Sequence, residues 1–154
     1  MPGHFEANVK ACALLSQNYR VGLQALRQAD KRHIQVSEPK QLTGSVDVDS
    51  ALAESLPRDP RWDYGIGHRA HGNGVETVHW VEVHPATDGE VNAIEAKLAW
   101  LMSWAAAHAP ALSVMKRQYV WVSSGSTYLT PTAPGLKRLA QKGLRNVGRT
   151  YRIG

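Results

Sequence analysis

The chain has 154 residues, of which 43% are hydrophobic and 20% charged, and its formal net charge is +5 at pH 7. These values predict one folded domain over residues 1–154 and exclude a disordered chain. One cysteine excludes an internal disulfide and a cysteine-based zinc site, and the absence of a long apolar run or an export signal predicts a cytoplasmic protein with no membrane partner.

The first part of the chain is predicted to be helical. Apolar spacing over residues 5–29 favours one helix, and Gly22 weakens its middle, so two shorter helices are the alternative. Residues 33–36 fit a short strand before the turn at Pro39.

Two strands are predicted next, from alternating polar and apolar residues. In residues 43–50, Asp47 and Asp49 share one face, where we expect them to be exposed at an edge, with metal support as the alternative. A second strand over residues 61–68 places three apolar side chains on one face, namely Trp62, Tyr64 and Ile66.

A hairpin and the clearest strand of the chain follow. The sequence of residues 71–74, His-Gly-Asn-Gly, predicts a hairpin turn. Residues 75–85 alternate strictly, so one face of this strand carries Val78, Trp80, Glu82 and His84.

The second half of the chain predicts two helices and two strands. A helix capped by Thr87 or Asp88 runs to about His108, residues 118–123 form an interior strand, residues 134–142 form a helix, and residues 145–153 form a closing strand. The element order indicates an α/β fold, a three-layer α/β/α sandwich around a mixed central sheet.

Two acidic residues on neighbouring predicted strands indicate chemistry. Asp63 lies on one strand and Glu82 on the next, with His84 on the same face as Glu82. Two such carboxylates can share a divalent metal, and a third polar group beside them can orient or activate a water. Metal-assisted hydrolysis of a phosphodiester bond needs these parts. An exposed or ion-paired role is the alternative for both acids.

This arrangement resembles the restriction-endonuclease-like nuclease superfamily, whose motif is written PD-(D/E)-x-K, in the order helix, three strands, helix and strand over roughly residues 6–124. His84 stands where the superfamily has lysine, and Pro60 precedes Asp63 by three residues instead of one. In some members a lysine on the following helix takes that role, which implies Lys97 here. The Trp-Asp-Tyr and Val-Glu-Val-His-Pro-Ala stretches also look like those of an uncharacterised bacterial family of similar length.

The expected function is therefore hydrolysis of DNA or RNA by a metal-dependent nuclease. Asp63 and Glu82 would hold Mg²⁺ or Mn²⁺, His84 would orient or activate water, and Lys97 would steady the phosphate.

Acids and bases are distributed unevenly along the chain. All thirteen acids lie within residues 6–95, whereas residues 96–154 contain nine Lys or Arg residues and no acid. This pattern predicts nucleic-acid binding, with a solubilising surface as the alternative. The residues expected to contact the phosphate backbone are Lys116, Arg117, Lys137, Arg138, Lys142, Arg145 and Arg149.

Other functions remain open from the sequence. A catalytically inactive module on the same scaffold would bind nucleic acid or protein, and a structural subunit would form a homodimer through an apolar helix over residues 91–107. A zinc site would combine His68 and His71 with His79 or His84. A stacking platform for single strands would use Trp62 and Trp80.

Overall fold

The computed structural model describes residues 4–70 and 74–154, and at position 126 it describes the backbone only. The strands are β1 (Tyr19–Arg20), β2 (Ile34–Val36), β3 (Leu42–Asp47), β4 (Tyr64–Arg69), β5 (Glu76–Thr87), β6 (Lys116–Tyr128), β7 (Leu144–Asn146) and β8 (Tyr151–Ile153). The α-helices are α1 (Phe5–Ala11), α2 (Gln28–Lys31), α3 (Val48–Leu52), α4 (Val91–His108), α5 (Pro110–Ser113) and α6 (Pro134–Gln141).

Six strands form one mixed sheet in the order β1-β3-β4-β5-β6-β7. The neighbours from β1 to β5 pair antiparallel, whereas β6 pairs parallel to both β5 and β7. The connection from β5 to β6 runs through α4, as a parallel crossover requires. The predicted α/β class with a mixed central sheet is confirmed.

The two faces of the sheet are covered differently. One face packs against α1, α3, α4, α5 and α6, with Trp80 and Trp121 in its core. The other face holds Tyr64 and Val120 beneath β2 and β8, which form a separate parallel ladder, and the hydroxyl of Tyr64 contacts Asp30 of α2. Where the sandwich prediction expects a second helical layer, the chain therefore has a short ladder and one turn of helix.

Two predicted elements are wrong because the backbone leaves its regular course inside them. The helix predicted over residues 5–29 ends at Ala11, where Cys12 is extended, and the chain then forms β1, a turn with Gly22 at φ +54°, and the short α2. The strand predicted over residues 145–153 is divided into β7 and β8, with Gly148 at φ +78° between them.

The strand predicted over residues 43–50 is too long at its end. Asp47 accepts hydrogen bonds from the amide and the hydroxyl of Ser50, both at 2.8 Å, and so caps α3.

The strand predicted over residues 61–68 begins at Tyr64, three residues later than predicted. Trp62, which precedes it, packs on the face opposite to Tyr64 and Ile66, so its predicted side is wrong.

Four other predicted elements are observed near their expected bounds, as β2, β5, α4 and α6, and the strand predicted over residues 118–123 is observed as the longer β6. The hairpin sequence of residues 71–74 falls largely outside the described residues, since 71–73 are not described, and β4 and β5 on either side of it pair antiparallel.

The longest helix, α4, buries its apolar stripe inside the chain. Ile94, Leu98, Leu101 and Trp104 all belong to the core on the helical face of the sheet. The side chains that the homodimer hypothesis assigns to an interface are thus used within one chain. None of the described helices is both long and apolar enough to cross a membrane.

We expect His79 to make the fold sensitive to acid. Its Nδ1 lies 2.6 Å from the hydroxyl of Tyr151, the first residue of β8. Burial, aided by nearby His68, lowers the His79 pKa to about 4. Folding therefore favours the neutral ring. The part of the free energy of unfolding that depends on neutral His79 is fully present above about pH 6.5 and is lost as the pH falls towards 4. Urea titrations should show about 3 kcal/mol lost over that range through this residue.

The comparison for this prediction is between two histidine variants. His79→Gln should lose correspondingly less stability between pH 6.5 and 4, whereas His108→Gln, at an exposed position, should follow the wild type. Identical pH profiles for all three proteins would contradict the assignment.

Candidate functional site

The site lies where β4 and β5 part. The last paired residues of the two strands are Tyr64 and Val81, so Asp63 and Glu82 are the next residues across the gap. Beyond this pair, backbone amides donate to side-chain carboxylates instead of to backbone carbonyls. The amide of Asp63 donates to Glu82 Oε1 at 3.1 Å, and the amide of Val83 donates to Asp63 Oδ2 at 3.0 Å. Each carboxylate therefore satisfies a backbone N–H group of the opposite strand.

Lys97 completes this arrangement from α4. Glu82 is fully buried in β5, an interior strand, so it has no exposed edge position. Lys97 Nζ lies 2.6 Å from Glu82 Oε2. Burying a carboxylate is costly unless it is paired, and the ammonium group supplies the partner. Asp63, Glu82 and Lys97, hereafter the acid–lysine cluster, are thus brought together as expected from the sequence.

His84 lies beside this cluster and is held between two carboxylates. Its Nε2 is 2.8 Å from Glu90 Oε2, and its Nδ1 is 3.6 Å from Glu82 Oε2. The interaction with Glu82, supported by Glu90, raises the His84 pKa above its usual value of 6.5 although burial opposes this shift. The neutral form that a general base requires is therefore populated at higher pH than for a free histidine.

Asp63 is the most perturbed acid of the site. Burial, reinforced by the negative charge of Glu82, raises the Asp63 pKa to about 8, against the opposing effects of Lys97 and the Val83 amide. Folding therefore favours the protonated carboxyl. The resulting cost to stability appears as the pH rises from about 4 and is complete above about 8.

Asp63→Asn should consequently stabilise the protein, because the amide keeps an acceptor for the Val83 amide and carries no charge. We expect an increase of about 3 kcal/mol in the free energy of unfolding at pH 8.5 and little difference near pH 4, measured by urea denaturation. Glu54→Gln, at an exposed position, is the matched control with no expected change. A variant that is less stable than the wild type at pH 8.5 would contradict the raised pKa.

Glu90 is the member of the site that sequence reasoning missed. It lies in a short 3-10 turn at the start of α4, six residues after His84. The capping pattern at Thr87 and Asp88 indicates where this helix begins, but the bend that brings Glu90 back towards His84 has no signature in the sequence.

The second acidic pair of the sequence has a structural role. Asp47 is buried and caps α3, and Asp49 pairs with Arg61 at 2.9 Å and with Arg27 at 3.1 Å. The expected exposure of Asp47 at an edge is therefore wrong. Arg61, two residues before Asp63 in the chain, is bound to Asp49.

The zinc-site hypothesis concerns histidines, and the stacking hypothesis concerns two tryptophans. Within residues 4–70 and 74–154, no group of three or more His, Cys, Asp or Glu side chains could hold a metal ion. His68 and His79 lie with ring centroids 5.7 Å apart, and His71 is outside the described residues. Trp62 and Trp80 are buried, which excludes both as a stacking platform.

The expected phosphate-binding residues are all exposed and lie on several different elements. Lys116 and Arg117 begin β6 and pair with Thr77 and Val78 near the start of β5, whereas Glu82 lies in the middle of that strand. Arg138 and Lys142 contact Glu95 of α4, at 3.1 and 3.4 Å. The other three are Lys137 on α6, Arg145 near Tyr151, and Arg149, which donates to the carbonyl of Gly125.

In comparisons with known proteins, no family model, curated protein or solved structure matches the chain. Functional assignment therefore depends on the geometry of the acid–lysine cluster.

Proposed function

We propose that the chain is a divalent-metal-dependent nuclease-like protein that hydrolyses phosphodiester bonds of DNA or RNA, on a restriction-endonuclease-like scaffold. The observation that carries this proposal is the contact of 2.6 Å between Lys97 Nζ and Glu82 Oε2, with Asp63 hydrogen-bonded across the same gap. Two carboxylates at the gap between β4 and β5, one of them paired with a lysine of α4, supply the groups that metal-assisted phosphodiester hydrolysis requires.

The residues present fit a magnesium-type ion. Mg²⁺ is commonly held through one or two carboxylates together with waters and substrate phosphates, so Asp63 and Glu82 suffice without a third protein ligand. Their mutual repulsion, which contributes to the raised pKa of Asp63, is the kind of strain that a bound cation relieves. Mg²⁺ or Mn²⁺ would lower the pKa of a water and offset negative charge on the phosphate.

The chain's own residues have separate roles in this proposal. Lys97 Nζ stabilises negative charge on a phosphate oxygen, as a fixed cation on α4. His84 orients a water through a ring nitrogen, and Glu90 is a positioning residue because it fixes the ring at 2.8 Å.

A cleavage assay tests this proposal. Wild-type protein is incubated with labelled single- and double-stranded DNA and RNA under Mg²⁺, Mn²⁺ or a chelator. We expect metal-dependent cleavage that is lost in Asp63→Asn and retained in Glu54→Gln. Absence of cleavage of every substrate by folded wild-type protein, with either metal, would overturn the proposal.

One observation favours a second function, that of a catalytically inactive module that binds nucleic acid or protein. Glu82 is already paired with Lys97, and His84 is paired with Glu90, so the cluster is satisfied within the chain. Such a module would bind duplex DNA in a salt-dependent manner while showing no cleavage and no response to metal.

A further inference from the structure

A cavity of about 350 Å³ lies between α4, the start of β6 and the end of α6, and its lining includes none of the acid–lysine cluster. Trp80 and Leu101 line it and are each 1% exposed. Space exists here because α4 presents two small side chains, Ala105 and Ala106, to the cavity. The volume is at the lower end of the roughly 300–1,000 Å³ typical of small-molecule sites, which suits a small ligand.

The cavity is positively charged. Arg117 and Lys142 line it from different elements, and no acid is among its lining residues. Arg117 donates from Nη1 to the Met115 carbonyl and has no carboxylate partner in the described part of the chain. Lys142 has one long contact, at 3.4 Å to Glu95, which leaves ammonium donors available. This pair is suited to an anionic group such as a phosphate.

The rest of the lining offers a surface for a ring and polar contacts for hydroxyl groups. Tyr119 and Met102 are half-buried, and the Tyr119 hydroxyl has no hydrogen-bond partner among the described residues. The Ser113 hydroxyl donates to the Pro110 carbonyl and keeps its lone pairs as acceptors. The aromatic ring and the thioether can pack against a flat ring, and the two hydroxyls can bond to hydroxyl groups of a ligand. This lining therefore suits a base with an attached sugar better than it suits an acyl chain.

From these observations we propose that this cavity binds a nucleoside monophosphate. The phosphate contacts Arg117 and Lys142, the base packs against Tyr119 and Met102, and the ribose hydroxyls reach Ser113 and Tyr119. This site is distinct from the proposed hydrolytic centre and does not depend on catalysis there.

Titration calorimetry with adenosine 5′-monophosphate tests the proposal, with adenosine, inorganic phosphate and benzoate as partial ligands. Adenosine lacks the charge-assisted contacts, each of which contributes about tenfold or more in affinity, whereas inorganic phosphate and benzoate lack the nucleoside contacts. Each partial ligand should therefore bind at least about tenfold more weakly. Equal affinity for adenosine would overturn the phosphate assignment, and equal affinity for benzoate would overturn the nucleotide assignment.

Two alanines of α4 provide matched variants. Ala106→Leu fills the cavity and should weaken nucleotide binding at least about tenfold, whereas Ala99→Leu, at an exposed position outside the cavity, should leave binding unchanged. Arg117→Met should also weaken binding by about tenfold. Unchanged affinity in Ala106→Leu, or no binding to folded wild type at millimolar nucleotide, would overturn the proposal.

Failure of this proposal can be separated from failure of the proposed function. Asp63→Asn should bind the nucleotide with wild-type affinity although it does not cleave. Nucleotide binding without any wild-type cleavage would leave the cavity assignment standing alone, and cleavage without nucleotide binding would leave the hydrolytic centre alone.

Discussion

Lys97→Met should reduce cleavage by about 10²–10³-fold, because it removes the fixed cation that the proposed function assigns to the phosphate. It also leaves the buried Glu82 without its partner at 2.6 Å. Removing one member of a buried ion pair destabilises a protein, and with Lys97 partly exposed we expect a loss of about 2 kcal/mol. Cleavage rates are measured well below the melting temperature, with folding verified by circular dichroism.

Two further lysine variants separate chemistry from stability. Lys97→Arg keeps the charge and should recover most of the stability, with cleavage intermediate between that of the wild type and Lys97→Met. Lys10→Met removes the same kind of side chain from an exposed pair with Glu6 on α1 and should change neither cleavage nor stability by a measurable amount. Wild-type cleavage in folded Lys97→Met would exclude Lys97 from the reaction.

Replacing Lys137, Arg138 and Lys142 together by Ala should weaken binding of duplex DNA and reduce the slope of log affinity against log salt. If all three contact phosphates, the slope falls by about 2.7, because each contact releases about 0.9 condensed cations. Fluorescence anisotropy over a salt series measures both quantities. Lys40→Ala, an exposed basic residue in the acidic part of the chain, is the control. An unchanged slope would show that these residues only solubilise the protein.

Glu95 modifies this expectation. Arg138 Nε and Lys142 Nζ both contact its Oε2, so two of the three cations are already partly neutralised within the chain. Glu95→Gln should therefore strengthen duplex binding in the same assay, opposite to the triple variant. A weaker complex would mean that Glu95 serves to orient these side chains for DNA.

Local patterns were sufficient for the elements that position the site. The two-residue alternation over residues 75–85 predicts β5 and places Glu82 and His84 on one face, and their observed contact at 3.6 Å agrees with that prediction. The stripe on α4 likewise predicts which of its residues face the core. These features depend on short-range geometry that the residue order determines.

The errors arise where contacts distant in sequence, or a glycine, decide the local structure. Apolar spacing continues past Ala11, but the chain turns and pairs Tyr19 with Val46 of β3. The strand predicted over residues 43–50 ends at Asp47 instead, because the bond from the Ser50 amide to Asp47 caps α3, which begins at the next residue. The hydrogen bond from the Val83 amide to Asp63 forms because two strands diverge, and the sequence pattern does not predict where they diverge.

The most direct measurement is the melting temperature of wild type and Asp63→Asn with and without 10 mM Mn²⁺. If Asp63 and Glu82 hold the ion with a dissociation constant of about 1 mM, binding stabilises the wild type by about 1.4 kcal/mol, or roughly 3–5 °C. Asp63→Asn should begin at a higher melting temperature in the absence of metal and should not respond to Mn²⁺. An equal rise in both proteins would place the ion elsewhere, and no rise in the wild type would contradict a metal site at this cluster.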